Sequence, residues 1–334
     1  MHQKNLYELC QEWEDASRSD LLARHRYNEL LSEIEFHANL RYADYEPFAD
    51  IEGTFHDRLY RWIVQLDDDR HRRALLEFVP WLIFIDKREM RSLYRDAYRR
   101  CILPWIPDQF PSIDDQLTSD HEIALRTRLN SLRFYSITES FAFKQFENTN
   151  SLNALPKPTV LGDDPERAAT LVKKSSHIRG HIILEDVVGT GKQAARVLKA
   201  VMKSLGGGTR VLFVPLVMLE PPPAQVNPLM TMDGLTVRAV SLIPSHVCVT
   251  NVFQPAEPSN FAEIRSIVNA TAKQVCTRLN DLDNPPKDPF GYGGTGATIV
   301  PYQNVPNNTL SLVHHKAPAW SALFRRSHHS KGEL

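Results

Sequence analysis

One stretch of the sequence, residues 181–219, restricts the possible folds more than any other. After His181 come three apolar residues, two acids, a Val-Val pair and the loop Gly189-Thr-Gly191. Residues 194–204 have the apolar spacing of a helix, and Val211–Leu219 is a second apolar run. Apolar runs separated by a helix are typical of strands buried on both faces of a parallel sheet. The stretch therefore predicts an α/β fold whose helices cover a parallel sheet.

Composition differs between the two parts of the chain. Residues 1–150 carry 20 Lys and Arg against 27 Asp and Glu, with one glycine and five prolines. Residues 151–334 carry 19 against 13, with 13 glycines and 17 prolines. Because Gly and Pro disfavour helices and favour turns, the first part is predicted to be mainly helical. The second is predicted to hold strands and loops around an anionic ligand. Overall, 42% apolar and 24% charged residues exclude a disordered, collagen-like or disulfide-scaffold chain.

Several other elements are indicated by local patterns. The spacing of Asp86 and Glu89 is that of an N-cap and an N3 residue, and it predicts a helix that Pro104 and Pro107 stop. The remaining predictions are a strand over 132–136, a helix starting at Asp164-Pro165, a strand over 235–243 and a helix over 261–279.

The loop after the first apolar run has the features of a phosphate site. A loop between a strand and a helix N-terminus offers backbone amides and a favourable helix dipole. Gly189 and Gly191 allow close approach of the backbone, while Thr190 and Gln193 add donors. The preceding acids, Glu185-Asp186, do not suit phosphate but do suit sugar hydroxyls or Mg²⁺. Together these residues predict a site for a phosphorylated sugar.

Two common phosphate motifs fit this loop poorly. The P-loop pattern GxxxxGK[ST] fails because Gln193 follows Gly191-Lys192 and Asp186 stands at the first glycine position. The dinucleotide pattern GxGxxG is met only in its loosest form, with Ala194 as the last residue, and it leaves the two acids without a role. An acidic strand-to-helix turn without a ligand is the plainer alternative.

An apolar strand, two acids, two spacers and a Thr-Gly loop resemble the phosphoribosyl-pyrophosphate motif of the type I phosphoribosyltransferases. The resemblance implies that Glu185 and Asp186 contact the ribose 2′ and 3′ hydroxyls in the catalytic site, and that Mg²⁺ is a cofactor. It also implies that a 5′-phosphate is bound by Gly189, Thr190, Gly191, Lys192 and Gln193. Lys192 and Gln193 depart from the family pattern, since small or hydroxyl residues are usual there.

A wider set of motifs resembles a narrower family. The set comprises Lys87–Tyr94, Ser136–Ser140, Glu185–Gln193 and Asn304–Leu310, followed by Trp320 and Phe324-Arg325. It resembles the phosphoribosyltransferase-like domain of bacterial conflict systems, which includes retron-associated effectors, over about residues 50–326. The resemblance implies an antiphage effector that is toxic when released. It also implies a partner, a complex of a reverse transcriptase with its RNA and DNA, that holds the effector inactive.

The resemblance also suggests how the chain is divided. We expect a sheet of the type I phosphoribosyltransferase type, with a helical N-terminal region over 1–130, an α/β core over 131–284 and a C-terminal hood of substrate loops over 285–334. Within the hood, the candidate base- or substrate-binding residues are Tyr292, Asn304, Asn307 and Asn308. A candidate pyrophosphate-side loop follows the strand at 132–136 and consists of Thr138, Glu139 and Ser140. Ordinary turn chemistry is the competing interpretation for these residues.

These observations favour an enzyme that binds a nucleotide or phosphoribosyl ligand and cleaves or transfers at a nucleotide glycosidic bond. The alternatives are a catalytically silent module that senses a nucleotide or phosphoribosyl pyrophosphate, and a nucleobase phosphoribosyltransferase. Four separated cysteines form no CxxC pair, so no zinc or redox motif is indicated. Without a secretory or membrane-spanning apolar run, we expect a cytoplasmic protein that does not contact membranes.

Overall fold

The computed structural model of the chain forms two compact units. The residues that it describes are 5–16, 25–47, 53–109, 129–152, 157–175, 178, 180–205, 209–221, 227–276, 288–315 and 317–327. We call residues 88–245 the sheet unit, and residues 1–87 together with 246–334 the discontinuous unit.

The helices and strands of the described residues are as follows. The α-helices are α1 Leu6–Ala16, α2 Arg26–Leu40, α3 Phe55–Val64, α4 Asp69–Phe78, α5 Lys87–Asp96, α6 Leu103–Gln109, α7 Phe143–Asn150, α8 Pro165–Lys173, α9 Lys192–Leu205, α10 Phe261–Cys276 and α11 Ser311–His314. A π-helical segment, Ala97–Ile102, joins α5 to α6. The strands are β1 Ile83–Ile85, β2 Leu132–Ser136, β3 Thr159–Val160, β4 Gly180–Val188, β5 Arg210–Leu219, β6 Leu235–Val237, β7 Ser241–Ile243 and β8 Ile299–Pro301.

The sheet unit is built on a parallel sheet. Its strand order is β3-β2-β4-β5-β6, and β7 also pairs with β5. In the central strand β4, the consecutive residues Ile182, Ile183 and Leu184 are fully buried. Since consecutive side chains of a strand point to opposite faces, both faces of β4 are covered. The predicted α/β fold with a parallel sheet is confirmed.

Helices α8 and α9 pack against the sheet through a common apolar core. The core includes Ala168 and Val172 of α8, Val197, Leu198 and Val201 of α9, and Ile183 and Phe213 of the sheet. Helix α8 begins as predicted, with Pro165 at its first turn and the Asp164 carboxylate accepting from the amides of Glu166 and Arg167. This packing holds the N-terminus of α9 at the end of β4.

The predicted strand over 235–243 is divided into β6 and β7. Both pieces keep the same register against β5, and two bonds continue between them: Arg238 N to Phe213 O at 3.0 Å and Val240 N to Pro215 O at 3.0 Å. Proline has no N–H, so Pro215 cannot donate the return bond to this strand. The division is therefore the consequence of one missing donor opposite residues 238–240.

The helix predicted after Asp86 does not stop at Pro104. It passes from α5 through the π-helical segment into α6, and Leu103 N donates to Tyr98 O five residues earlier. Pro104 is the second residue of α6, so its missing N–H falls directly after the change from π- to α-helical winding. The prediction was wrong because sequence spacing alone does not reveal a change from α- to π-helical winding.

The discontinuous unit joins segments from both ends of the sequence. Strand β1 pairs in parallel with β8, with Ile83 opposite Ile299. The ring centroid of Tyr42 lies 4.9 Å from that of Phe55, 5.1 Å from that of Phe84 and 5.4 Å from that of Phe324. This aromatic cluster buries large rings contributed by N-terminal and C-terminal residues together.

The bounds of the two units differ from the boundaries expected at residues 130 and 284. Residues 88–130 belong to the sheet unit, and residues 246–284 belong to the discontinuous unit. The segment 285–334, expected to be a hood, shares its unit with the N-terminal helices. Among the described residues, no helix combines the length and apolar character that crossing a bilayer requires.

Candidate functional site

The glycine loop predicted to bind phosphate connects β4 to α9. Strand β4 ends at Val188, and α9 begins at Lys192. Gly191 has a φ of 71°, and its carbonyl accepts the first helical bond from Ala195 N at 2.8 Å. The Thr190 hydroxyl lies 3.4 Å from Lys192 N. Because the first amides of a helix have no carbonyl one turn earlier, they face the loop and favour an anion there.

Gly191 is enclosed by a residue that sequence reasoning missed. A Cβ atom at this position would lie 2.6 Å from Oδ1 of Asn227. Asn227 is buried, its Oδ1 accepts from Leu229 N at 3.0 Å, and its Nδ2 donates to Met218 Sδ at 3.7 Å. The pair Asn227-Pro228 is a turn signal in the sequence, but it gives no indication of proximity to residue 191.

Glu185 is buried and bonded to the loop that follows β2. Its Oε2 accepts from Ile137 N at 3.0 Å and Thr138 N at 3.1 Å, and its Oε1 accepts from the Thr138 hydroxyl. Strands β2 and β4 are neighbours in the sheet, which brings the loop against the end of β4. The carboxylate therefore fixes the backbone of the candidate pyrophosphate-side loop.

Asp186 is half-buried and less fully engaged by backbone donors. Its Oδ1 accepts from Val187 N at 2.7 Å, and the hydroxyl of Ser140 also bonds to the carboxylate. The Oγ atoms of Thr138 and Ser140 are 2.6 Å apart. The structure thus brings Thr138 and Ser140 together with the acidic pair, whereas Glu139 between them is exposed.

The acidic pair has raised pKa values. Burial, then the charge of Asp186, raises the pKa of Glu185, and the hydrogen bonds from Thr138 oppose this shift. Burial also raises the pKa of Asp186, against the hydrogen bonds from Val187 N and Ser140. Two carboxyl groups this close are therefore harder to ionise together than either would be alone, and the pair favours holding a proton.

The other loop residues differ in exposure. Gly189 is buried, Thr190 and Gln193 are half-buried, and Lys192 is exposed. Lys192 and Gln193, the two residues that depart from the type I pattern, are the first two residues of α9.

The candidate base-binding residues lie in the discontinuous unit. Tyr292 is 45% exposed, and its backbone is bonded to residues 307 and 308: Tyr292 N to Asn307 O at 2.7 Å, and Asn308 Nδ2 to Tyr292 O at 3.1 Å. The amide of Asn304 exchanges bonds with the backbone of Ser327 at 2.9 and 3.1 Å. The Asn307 side chain is exposed. Asn304 and Asn308 therefore have structural partners within their own unit.

The fit of the acidic pair to Mg²⁺ depends on the ligand. Among the residues that the structure describes, no three His, Cys, Asp or Glu side chains cluster to hold a metal. Both oxygens of Glu185 already accept protein donors. The half-buried Asp186 is the carboxylate that solvent reaches. The donor set therefore fits an Mg²⁺ ion that shares its coordination with oxygens of a bound ligand.

Comparison with known proteins places the chain in a family. No curated protein and no solved structure is similar enough to match the chain. A family model described as PRTase-CE matches residues 59–326, about four fifths of the chain, and this range includes the acidic pair and the glycine loop. The chain belongs to the PRTase-CE family and is a phosphoribosyltransferase-like protein.

Proposed function

We propose that the chain binds a ligand containing ribose 5-phosphate, with phosphoribosyl pyrophosphate or a nucleotide as the candidates. The observation that carries this proposal is the position of half-buried Asp186 on the strand that leads into the Gly189–Gly191 loop, at the N-terminus of α9. The loop amides suit a 5′-phosphate, and a carboxylate suits the sugar hydroxyls that accompany it.

The two acids have different tasks in this proposal. Asp186 accepts hydrogen bonds from the ribose hydroxyls. Glu185 acts as a positioning residue, because both of its oxygens accept donors from Ile137 and Thr138. Glu185 thus holds the pyrophosphate-side loop beside the bound sugar.

The proposed chemistry is cleavage or transfer at C1 of the ribose. The bond from C1 to the leaving nitrogen or oxygen breaks, and its electron pair departs with the leaving group. Water or another nucleophile then bonds to C1 and gives up its proton to the leaving group or to solvent. The positive charge that develops at C1 is stabilised by Asp186 in its ionised form, and the loop amides keep the substrate in place. A ligand-bound Mg²⁺ held by Asp186 would neutralise charge on a departing diphosphate.

The proposed biological role is that of an antiphage effector in the cytoplasm. Membership of the PRTase-CE family and the resemblance to conflict-system domains support this role. In it, depletion of a nucleotide pool harms the host cell, and a complex of a reverse transcriptase with RNA and DNA holds the effector inactive.

A catalytically silent nucleotide sensor is the second candidate function. The observation in its favour is the complete engagement of Glu185 by three protein donors, which leaves one carboxylate for a ligand. A sensor requires binding at this site but no reaction at C1.

Calorimetric titration with phosphoribosyl pyrophosphate and Mg²⁺ tests the binding proposal. We expect saturable binding by the full chain and at least tenfold weaker binding by Asp186→Asn. Asp233→Asn, which neutralises an exposed acid elsewhere in the sheet unit, is the matched control and should bind like the parent. Two results would count against the site: no binding by the parent at millimolar ligand, or an affinity of Asp186→Asn equal to that of the control Asp233→Asn.

Metabolite profiling separates the enzyme from the sensor. Cells that express the parent chain should lose a nucleotide pool, and cells that express Asp186→Asn should keep it. Ligand binding without depletion of any pool would support the sensor instead.

A further inference from the structure

Four exposed arginines form a line along α5 and the π-helical segment that follows it. Successive members are three or four residues apart, and residues at this spacing share one face of a helix. At 1.5 Å per residue, the line is about 16 Å long. We call this set the arginine stripe, and it consists of Arg88, Arg91, Arg95 and Arg99.

The positive charges of the arginine stripe are not compensated by the described residues. Asp96 pairs with Arg100, at 3.3 Å, and no described side chain or carbonyl pairs with a guanidinium of the stripe. The two acids within residues 88–100, Glu89 and Asp96, each come directly after a stripe residue. Because consecutive residues of a helix lie about 100° apart around its axis, both acids point away from the stripe.

The opposite face of α5 is anchored in the sheet unit. Met90 and Tyr94 are buried, and the Tyr94 ring centroid lies 5.7 Å from that of Phe141 and 6.1 Å from that of Phe146. Asn150 Nδ2 also donates to Tyr94 O at 3.1 Å. The backbone that carries the stripe is thus in place before a partner arrives, which lowers the entropy lost on binding.

A row of unpaired guanidinium groups favours a partner with regularly repeated negative charges. Guanidinium groups pair with phosphate through two parallel hydrogen bonds, and the phosphates of a nucleic acid recur at short, regular intervals.

The surroundings of the arginine stripe favour a duplex over a single strand. Proteins that bind single strands usually stack the bases on exposed rings. Of the described large apolar side chains that are exposed, none belongs to α5 or the π-helical segment. A duplex needs no such ring, because its bases are already stacked. The same composition argues against a membrane surface, which requires apolar side chains that enter the bilayer.

We propose that the arginine stripe binds the sugar-phosphate backbone of a nucleic acid duplex without base specificity. Each guanidinium contacts one phosphate, and DNA and RNA duplexes share this chemistry. The proposed function places nucleic acid in a partner complex, whereas this proposal concerns direct contact by the chain itself. It does not depend on the ligand of the glycine loop.

Fluorescence anisotropy with labelled DNA and RNA duplexes of arbitrary sequence tests the contact in the full chain. For four phosphate contacts, the logarithm of the association constant should fall against the logarithm of salt concentration with a slope of about −3.6. The double variant Arg91→Gln, Arg95→Gln should bind about tenfold more weakly in about 50 mM salt, with a slope of about −1.8. Both side chains are exposed, so circular dichroism should show an unchanged fold.

The double variant Lys199→Gln, Lys203→Gln is the matched control. It removes two exposed charges at the same four-residue spacing from α9 of the same unit, and it should keep the affinity and slope of the parent. The duplex that the parent binds more tightly identifies DNA or RNA as the partner.

Three results would overturn the proposal: no duplex binding by the parent in about 50 mM salt, parental binding by the arginine variant, or equal losses in the arginine and lysine variants. Binding of polyglutamate or anionic vesicles in place of a duplex would also overturn it. Those outcomes would assign the stripe to an acidic protein or to a membrane surface.

Discussion

The hydroxyl oxygens of Thr138 and Ser140 lie 2.6 Å apart, and each hydroxyl also bonds one member of the acidic pair. Thr138 donates to Glu185, and Ser140 bonds to Asp186. Two adjacent hydroxyls that face two carboxylates reproduce the contacts expected from the 2′ and 3′ hydroxyls of a ribose. The protein thus satisfies its own acidic pair, and in the proposed site a ribose would compete with Ser140 for Asp186.

Removing this competitor should strengthen ligand binding. Ser140 is exposed, so Ser140→Ala should fold normally. It should bind phosphoribosyl pyrophosphate about 2- to 10-fold more tightly, which is the change in affinity that corresponds to one hydrogen bond. Ser140→Thr, which keeps a hydroxyl, should bind like the parent. Titration calorimetry measures both affinities, and weaker binding by Ser140→Ala would instead give this hydroxyl a direct role in holding the ligand.

The two acids should differ in their importance for stability. Glu185→Ala leaves the buried amide of Ile137 and the partly buried amide of Thr138 without an acceptor, so it should lower the free energy of unfolding by about 2 kcal/mol. Asp186→Ala should cost less than about 1 kcal/mol, because Asp186 is half-buried.

Urea unfolding followed by circular dichroism measures both changes in unfolding free energy. Glu185→Gln is the control, since its amide oxygen can still accept from the two backbone donors and should recover part of the loss. Equal destabilisation by the two alanine variants would contradict the positioning role of Glu185.

Gly191→Ala should be more damaging than the same change at another glycine of positive φ. Its Cβ would stand 2.6 Å from Asn227 Oδ1, in addition to the strain of a φ of 71°. Gly162→Ala has similar strain, with a φ of 82°, but its Cβ would meet only the Arg167 side chain at 3.7 Å.

We expect the Gly162 variant to lose about 1 kcal/mol of unfolding free energy. The Gly191 variant should lose more than that and should also bind phosphoribosyl pyrophosphate at least tenfold more weakly. Unfolding curves and titration calorimetry measure the two effects. Similar losses of stability in both variants would show that Asn227 does not enclose Gly191 tightly.

The discontinuous unit should become less stable in mild acid because of His314. Burial, then the charges of Arg326 and His315, lowers the pKa of His314 to about 3. The unfolded chain binds this proton near pH 6.5, so stability is lost as the pH falls below that value.

The contribution of this histidine between pH 7.5 and 5.5 is about 1.4 kcal/mol of unfolding free energy. His314→Gln can still donate to Thr309 O. Between pH 7.5 and 5.5, this variant should lose about 1.4 kcal/mol less unfolding free energy than the parent. Urea unfolding at both pH values provides the measurement. An identical pH dependence in parent and variant would mean that His314 is accessible to protons in the folded state.

Part of the fold could be predicted because it depends on local chemistry. The apolar runs of β4 and β5 require burial on both faces, and Asp164-Pro165 satisfies the amides of a helix start without help from distant residues. Gly191 has the left-handed φ that a glycine tolerates. The role of the acidic pair in binding ribose stays a prediction.

The parallel α/β architecture and the position of the glycine loop could therefore be predicted from local patterns, since backbone hydrogen bonding and apolar periodicity are properties of neighbouring residues. Three other features depend on how distant segments pack: Glu185 bonds to the loop after β2, Asn227 encloses Gly191, and Pro215 interrupts the strand beside it. Each of these contacts joins segments far apart in the chain. They follow from which strands become neighbours in the sheet, and no local pattern specifies that order.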